Sequence, residues 1–401
     1  MIHLVTWLPL PYQLILCRTL NEHYGGDFVA WFAERNHEDF PYRSGPGDDF
    51  SSHYLSEEGY WKLSQALRSD PQPVVILCGW SSPMSNKTLL MTALLRIPVF
   101  LWADHPHPRK RSWAVECVRK LYLQFLGRTL SGFLACGRPT LEHLASLGIE
   151  RSKIAIFPCW TDLPRSWSIP RGCVDGVEPF SNPLRLIAIG RQAPVKQFNV
   201  AIEAVGLVNK RSGYKMAELV MAGDGSERER LEMLARSLGC ESSITFLGWL
   251  EIGEVYRELE AADALILTSK FDAFGVVVLE AMAAGRPVLA STGVVAALDR
   301  DEGTGAVFTH PVGDVERLAD QIALLAVDRE RLRRAAFAAR ATAEKWPPER
   351  AVTILNDVLA RSKTGERLSQ PNEVAPIDDY AGREPSAHQT ANESVKVRQA
   401  L

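Results

Sequence analysis

The chain has 401 residues, of which 46% are hydrophobic and 23% are charged, and its formal net charge is -3. This length predicts two domains, each large enough to bury a core without disulfides or a metal. The nearly balanced charge gives no general attraction to nucleic acid, so we expect no nucleic-acid partner and only a local basic surface.

Seven cysteines are scattered along the chain, with neither a C-x-x-C pair nor a metal-ligand spacing. They are Cys17, Cys78, Cys117, Cys136, Cys159, Cys173 and Cys240. Such a set is typical of buried, reduced thiols in a cytosolic protein. The apolar run after Met1 lacks a basic n-region and a cleavage site, and no apolar stretch reaches about 18 residues. We therefore expect a cytoplasmic protein that spans no membrane but can lie at its inner face.

The first half of the chain alternates short apolar runs with helical patterns, starting with a strand at Ile2–Trp7 and a helix at Tyr12–Tyr24. Apolar, partly β-branched runs bounded by Pro or Gly predict further strands. These are Val74–Cys78, Val99–Trp102, Thr129–Cys136 and Lys153–Phe157. Strands separated by helices predict right-handed crossovers and a parallel α/β sheet over residues 1–180.

A Pro-rich segment from Cys159 to Pro183 reads as a linker, after which the alternation restarts. Strands are predicted at Leu184–Ile189, Ala217–Met221, Ser243–Phe246, Ala264–Leu267 and Pro287–Ala290. Helices are predicted at Phe198–Lys210, Glu227–Leu238, Glu251–Ala262, Gly275–Ala284 and Val315–Ala326. A second doubly wound domain is therefore expected over residues 181–346, and two such domains are expected to face a central cleft that holds the ligand.

The end of the chain predicts two further segments. Pro347 and Pro348 precede an amphipathic helix, Glu349–Arg361, within the segment 347–362. Residues 363–401 are polar without a periodic apolar face, which predicts a disordered tail.

The most specific motif reads S-K-F-D-A-F-G-V-V-V-L-E and places seven residues between Asp272 and Glu280. A helix is expected to open there, with free backbone N–H groups that favour an anion at Ala273, Phe274 and Gly275. Two interpretations stay open from these residues alone. Asp272 can cap the helix while Glu280 pairs with a core cation. Alternatively, ribose hydroxyls can supply the hydrogen bonds that a buried Glu280 needs.

A second motif, Gly190-Arg191-Gln-Ala-Pro-Val-Lys196, follows the predicted strand Leu184–Ile189. Arg191 offers a planar fork and Lys196 a point charge, and both can converge on one diphosphate. An Arg and a Lys after a strand are also common as solvated surface charges, so that alternative stays open.

Together these motifs resemble the E-x7-E signature and the G-R-x(4)-K diphosphate clamp of the family 4 retaining glycosyltransferases. Asp272 replaces the first Glu of the signature, and Gln197 stands where the family usually has Gly. The turn Ala222-Gly223-Asp-Gly resembles the family's A-G-x-G turn, although a glycine turn alone needs no ligand. Phe246–Leu250 resembles the loop that holds the nucleobase, and the resemblance extends from about Leu184 to Trp346.

The resemblance implies the α/β GT-B fold, built from two Rossmann-like domains, with the last helix crossing back to the first one. It also implies a metal-independent transferase without a cofactor, in a polysaccharide or lipid-linked glycan pathway. Such an enzyme moves a sugar, with retention, from a nucleotide-diphosphate donor to a glycan or lipid-linked acceptor. UDP-sugars are favoured over GDP-sugars. No D-x-D motif for a metal occurs.

The resemblance also assigns roles to residues of this chain. The implied catalytic residues are Asp272, His105, Arg191 and Lys196. The implied donor-binding residues are Glu280, Arg191, Lys196, Gly223, Gly248, Trp249, Leu250, Ala273, Phe274 and Gly275.

The first domain matches the family more loosely. Leu8-Pro9-Leu10-Pro11 replaces the glycine-rich turn after the first strand. His105 follows the strand Val99–Trp102, where the family commonly has a His close to the sugar. Asp104 and His107 are alternatives, and a structural or solvated His105 also stays open.

The segment Arg109–Arg128 carries six basic residues and one acidic residue. Its apolar residues recur at four-residue spacing, which predicts an amphipathic helix. They are Trp113, Cys117, Leu121 and Phe125. This stripe can pack on the core with the cations solvated. Alternatively, the segment can contact an anionic membrane, which would suit a lipid-linked acceptor.

Two other classes of protein share this scaffold. One is a nucleotide-sugar epimerase or a phosphorylase, which the clamp and the carboxylate pair disfavour. The other is a weak or inactive sugar-nucleotide-binding partner protein, which Asp272 and the missing first-domain glycines leave open. Detection of donor hydrolysis or transfer would exclude the second class.

Overall fold

A computed structural model describes residues 1–37, 49–107, 112–162 and 182–364. These residues form two compact units. The first contains the described residues up to Asp162 and the chain from Trp346 onward, and the second contains those from Asn182 to Lys345. Arg109–Arg111, most of the predicted linker and all but the first two residues of the predicted tail lie outside the described residues.

Seven parallel strands form the sheet of the first domain, in the order β3-β2-β1-β4-β5-β6-β7. They are β1 Ile2–Thr6, β2 Phe28–Phe32, β3 Ser52–Tyr54, β4 Val74–Cys78, β5 Val99–Ala103, β6 Gly132–Ala135 and β7 Ile154–Ile156. Strands β2 and β3 were not predicted from the sequence. Strand β3 has only three residues, with the sequence Ser-His-Tyr, so no apolar run indicates it. Its position is fixed by its pairing with β2.

The helices of the first domain mostly begin where a side chain or a proline favours a helix start. Ser82 accepts a hydrogen bond from the Ser85 backbone N–H at 3.0 Å, and Pro83 follows at the first helical position. The helices are Pro11–Tyr24, Leu55–Glu58, Tyr60–Ser69, Pro83–Leu95, Trp113–Thr129, Arg138–Ser146 and Arg350–Thr364. The last one packs on the first, where Tyr24 Oη donates to Asn356 Oδ1 at 2.7 Å.

Six parallel strands form the sheet of the second domain, in the order β10-β9-β8-β11-β12-β13. They are β8 Leu184–Ile189, β9 Ala217–Ala222, β10 Ile244–Gly248, β11 Ala264–Leu267, β12 Val288–Ser291 and β13 Val307–His310. In each domain the strand order reverses beside the first strand, as in doubly wound Rossmann folds. The predicted fold class, two Rossmann-like α/β domains, is confirmed.

Three helices of the second domain begin at capping residues. Asp314 and Asp328 each accept a hydrogen bond from a backbone N–H three residues on, at 2.9 Å, and Glu251 and Glu254 form a capping box. The helices are Phe198–Ser212, Arg228–Ser237, Ile252–Ala261, Val277–Ala283, Val295–Arg300, Val315–Val327 and Arg329–Glu344. The helix expected from Gly275 begins only at Val277, because Gly275 has a positive φ of 92°.

Two expectations about the first domain need correction. The helix Trp113–Thr129 turns Leu123 and Leu126 toward the core, so the four-residue stripe does not pack there. Its members Trp113, Cys117, Leu121 and Phe125 are all exposed. The exposed Cys117 departs from the expectation of buried thiols, whereas Cys17, Cys136, Cys159 and Cys240 are buried. Within the described residues, no helix combines the length and apolar character needed to cross a bilayer.

Candidate functional site

The loop after β8 is fixed to the end of the neighbouring strand β11. Thr268 Oγ1 donates to the carbonyl oxygens of Lys196 and Gln197, at 3.1 and 2.8 Å. The backbone N–H of Lys270 donates to the carbonyl oxygen of Val195 at 2.8 Å. These three bonds hold the Lys196 backbone at the carboxyl edge of the sheet, where ligands of such folds bind.

Lys196 and Asp272 form an ion pair at this edge. Lys196 Nζ lies 2.5 Å from Asp272 Oδ2, and the two side chains are 23% and 16% exposed. Asp272 does not cap the following helix, which has no side-chain cap. A cation and a carboxylate from two separate motifs therefore meet where a ligand can still reach both.

A run of unbonded backbone N–H groups follows Asp272. Among the described residues, none accepts a hydrogen bond from the backbone N–H groups of the five residues 273–277. The predicted anion-binding amides, Ala273, Phe274 and Gly275, belong to this run. Unbonded amides beside a lysine can bind an anionic group by charge-assisted hydrogen bonds.

Glu280 lies in the helix Val277–Ala283 with part of its side chain accessible to solvent. Desolvation raises the pKa of its carboxyl to about 7. No described residue gives this carboxylate a hydrogen bond or an ion pair, so the core-cation alternative receives no support. Hydroxyl groups of a ligand would supply the missing donors.

The loops after β8 and β9 approach each other without room for side chains. Gly223 has a φ of 122°, and a Cβ on it would lie 2.1 Å from the carbonyl oxygen of Gly190. A Cβ on Gly225 would lie 2.4 Å from that of Gln192. The glycines of the predicted A-G-x-G turn are therefore explained by this contact between loops.

The loop after β10 is bonded to the same turn. Gly223 N–H donates to the carbonyl oxygen of Gly248 at 2.7 Å, which places Gly248, Trp249 and Leu250 at the carboxyl edge. Trp249 is 44% exposed. Arg191 is also exposed, directly after β8.

Sequence reasoning missed two features of this region. Gln197 adopts the left-handed conformation, with φ 47° and ψ 42°, which accounts for the glycine that the resembled family usually has there. Gly293 supports the Asp272 loop, because a Cβ on it would lie 2.5 Å from the carbonyl oxygens of Ser269 and Lys270. A glycine beside a strand end was the available signal for Gly293.

In the first domain, His105 follows β5 and is half-buried. Its ring packs edge-on against His143, with centroids 5.6 Å apart. Desolvation and, secondarily, the nearby Arg119 lower the pKa of His105. Arg119 Nη2 donates to His143 Nε2 at 3.1 Å, so this arginine points inward. Asp104 and His107, the alternative candidates, flank His105 and are both exposed.

Comparison with known sequences finds similarity over the second domain. Residues 176–342 match the profile of the family Glycosyl transferases group 1. The lipopolysaccharide core biosynthesis glycosyltransferase LpsE of Rhizobium meliloti is 28% identical over 49% of this chain and 54% of that protein. The D-inositol 3-phosphate glycosyltransferase of Nocardia farcinica is 31% identical over 47% of this chain and 43% of that protein. The chain spans about half of the length of these two curated relatives.

Solved structures resemble most of the chain. HepE of Anabaena, solved in complex with UDP, has a TM-score of 0.69 at 16% identity over 90% of this chain and 99% of that one. WaaG, described as a glycosyltransferase involved in lipopolysaccharide biosynthesis, has a TM-score of 0.60 at 17% identity over 88% and 99%. These likenesses define the fold as the GT-B class. The sequence similarity to the group 1 glycosyltransferases lies in the second domain, at residues 176–342.

Proposed function

We propose that the protein is a metal-independent glycosyltransferase that moves a sugar, with retention, from a nucleotide-diphosphate donor, with UDP-sugars favoured over GDP-sugars. The observation that carries the proposal is the Lys196–Asp272 ion pair beside five unbonded backbone N–H groups. The pair combines a cation for a diphosphate with a carboxylate for sugar hydroxyls. The UDP bound by HepE, a protein of the same fold, agrees with the preferred nucleotide.

The leaving diphosphate is the group that most needs stabilisation. Breaking the anomeric C–O bond transfers negative charge to the phosphate oxygens as the sugar gains oxocarbenium character. Lys196, Arg191 and the amides of residues 273–277 would stabilise that charge, and fixed donors of this kind contribute factors of about 10² to 10³ each. Fixed cations at this position would replace a divalent metal.

Asp272 and Glu280 then have different tasks. When the diphosphate takes over Lys196, Asp272 is released to accept hydrogen bonds from the donor sugar. Glu280 accepts hydrogen bonds from the ribose, which restores partners to its desolvated carboxylate. Neither acts as a nucleophile in this proposal. The acceptor attacks from the leaving-group face, and the departing phosphate takes the acceptor's proton.

The acceptor in this proposal is a glycan or a lipid-linked glycan at the inner face of the cytoplasmic membrane. The similarity to LpsE, whose name places it in lipopolysaccharide core biosynthesis, supports the lipid-linked form. His105 is proposed to contact the transferred sugar from the first domain.

Thermal-shift titration with UDP, GDP and ADP, each with and without magnesium, tests the proposal. A nucleotide at a hundredfold excess over its Kd stabilises the protein by about 2.7 kcal/mol. We expect a magnesium-independent shift with UDP that Lys196→Ala abolishes and the exposed control Lys210→Ala retains. If no nucleotide gives a shift, the donor proposal is wrong. Binding without hydrolysis or transfer of any UDP-sugar would favour the inactive partner protein.

A further inference from the structure

Positive charge is concentrated in one part of the first domain. Residues 71–141 contain nine Lys and Arg but only Asp104 and Glu116 as acids, in a chain with 45 basic and 48 acidic residues. This local excess creates a positive field on a protein whose net charge is slightly negative.

The same part of the chain exposes the largest apolar side chains. Six of the seven most exposed large hydrophobic residues in the described chain lie on the successive helices Pro83–Leu95 and Trp113–Thr129. They are Leu90 (64%), Leu94 (76%), Trp113 (81%), Val118 (66%), Leu121 (66%) and Phe125 (60%). We call these six residues the apolar ridge.

The two helices that carry the apolar ridge pack on one face of the sheet. They connect β4 to β5 and β5 to β6, which are adjacent strands, and successive right-handed crossovers in one direction place their helices side by side. The ring contact between Trp80 and Tyr122, with centroids 6.2 Å apart, joins the two connections. The ridge residues therefore belong to one surface.

The helix Pro83–Leu95 has a distribution of polar and apolar side chains that does not suit a surface facing water. It buries the hydroxyl side chains of Ser85, Thr88 and Thr92 while Leu90 and Leu94 face outward. A helix that packs on a core and faces solvent has the opposite distribution. On the helix Trp113–Thr129, Val118, Leu121 and Phe125 follow the i, i+3, i+7 spacing of one continuous stripe, opposite to the buried Leu123 and Leu126.

We propose that the apolar ridge docks the first domain onto an anionic lipid surface. The apolar side chains would enter the boundary between headgroups and acyl chains, with Trp113 in the interfacial zone that tryptophan prefers. The exposed Lys120 and Arg128 would contact anionic headgroups. The positive excess disfavours a second copy of this chain as the occupant, because it would place like charges against each other.

The proposal corrects which residues of the basic segment bind the membrane. Arg119 is only 9% exposed and is held by Glu116 and His143, so it cannot reach a lipid headgroup. The apolar stripe, for which the sequence left packing on the core as an alternative, becomes the inserting surface.

Co-sedimentation with vesicles of phosphatidylcholine, with and without phosphatidylglycerol, tests the proposal. We expect binding to the anionic vesicles, weakened by salt, and at least about tenfold weaker partitioning for the double variant Leu121→Glu/Phe125→Glu. Met233→Glu, which changes a side chain that is 58% exposed in the second domain, is the matched control and should bind like the wild type.

A probe on Cys117 reports insertion directly, because this cysteine is exposed on the same helix. Cys173 is replaced by Ser so that it does not take up the label. The fluorescence of an environment-sensitive fluorophore on Cys117 should then increase with anionic vesicles and stay unchanged with neutral ones. Equal vesicle binding by wild type and the double variant would overturn the proposal. The proposal would also be overturned if light scattering showed that the wild type is a dimer and the double variant a monomer. UDP thermal shifts of the double variant should equal the wild type's, which separates this test from that of the donor site.

Discussion

The two domains share a strand order but differ in what they place at the surface. In the second domain, the loops at the carboxyl edge of the sheet hold one another through backbone contacts, and an ion pair and unbonded amides lie among them. In the first domain, no Gly-rich turn follows β1, and the most exposed large apolar side chains lie on helices. The same topology therefore carries a different surface in each domain. The family match covers residues 176–342 of the second domain, although both domains have this topology.

Glycines show the same difference. A Cβ on Gly79, which follows β4 in the first domain, would meet nothing within 4 Å. In the second domain, a Cβ on Gly223, Gly225 or Gly293 would lie only 2.1–2.5 Å from a carbonyl oxygen. In the second domain, the loop backbones therefore lie too close together for a side chain at these positions.

The largest effect expected is on Lys196. Lys196→Ala removes the cation that would stabilise the leaving diphosphate, so kcat/KM should fall about 10²- to 10³-fold. Initial rates of UDP release from a UDP-sugar measure this. Lys210→Ala, an exposed lysine on the following helix, should keep the wild-type rate. Equal losses in both variants would refute a specific role for Lys196.

Gly223→Ala compares the glycines of the two domains. The new Cβ would lie 2.1 Å from a carbonyl oxygen, so the free energy of unfolding should fall by more than about 3 kcal/mol. Gly79→Ala has open space at a φ of 76° and should cost only about 1–2 kcal/mol. Urea-unfolding midpoints measure both changes, and similar costs at the two sites would contradict the packing explanation.

Glu280→Gln should stabilise the unliganded protein at high pH. Desolvation raises the pKa of Glu280 from 4.5 to about 7 in the folded protein. The contribution of the protonated carboxyl to the free energy of unfolding is therefore fully present below about pH 4.5 and is lost as the pH rises through 7. At about pH 8 the variant should be more stable than the wild type by up to about 3 kcal/mol, and the difference should vanish near pH 4.5.

Saturating UDP should reverse this order, because ribose hydroxyls would stabilise the wild-type carboxylate. Thermal unfolding at both pH values, with and without UDP, measures the two effects. A wild type that is more stable than Glu280→Gln without ligand at about pH 8 would show that Glu280 has a partner in the folded protein.

His105→Ala separates the tasks of the two domains. The residue lies in the first domain, so the UDP thermal shift should stay unchanged while kcat falls about tenfold or more. His107→Ala is the control, since His107 is exposed two residues on. A loss of activity only in the His107 variant would move the assignment to that residue.

The smallest effect expected is at Gln197. Gln197→Gly removes a side chain from a left-handed residue, which should stabilise the second domain by about 1 kcal/mol. Gln197→Ala keeps the left-handed cost and should show no gain. Midpoints of thermal unfolding compare the two variants with the wild type.

Most strands, and the chain positions of the site motifs, were predictable. Apolar runs such as Val74–Cys78 and Leu184–Ile189 match strands with the same bounds. Parallel strands end at one edge, so residues after two neighbouring strands meet even when they lie far apart in sequence. This rule explains the meeting of Lys196 with Asp272. Strand β3 and the strongly charged helix Arg329–Glu344 were missed, because neither shows an apolar run.

By itself, the sequence determined two doubly wound domains and predicted a candidate site at the carboxyl edge of the second, because these depend on local apolar periodicity and on short motifs at strand ends. Only the tertiary structure decided that Asp272 pairs with Lys196 and that Leu121 and Phe125 face outward. Periodicity marks a stripe on a helix but does not say which side meets the sheet. That choice depends on how the whole helix packs on strands that are distant in the chain.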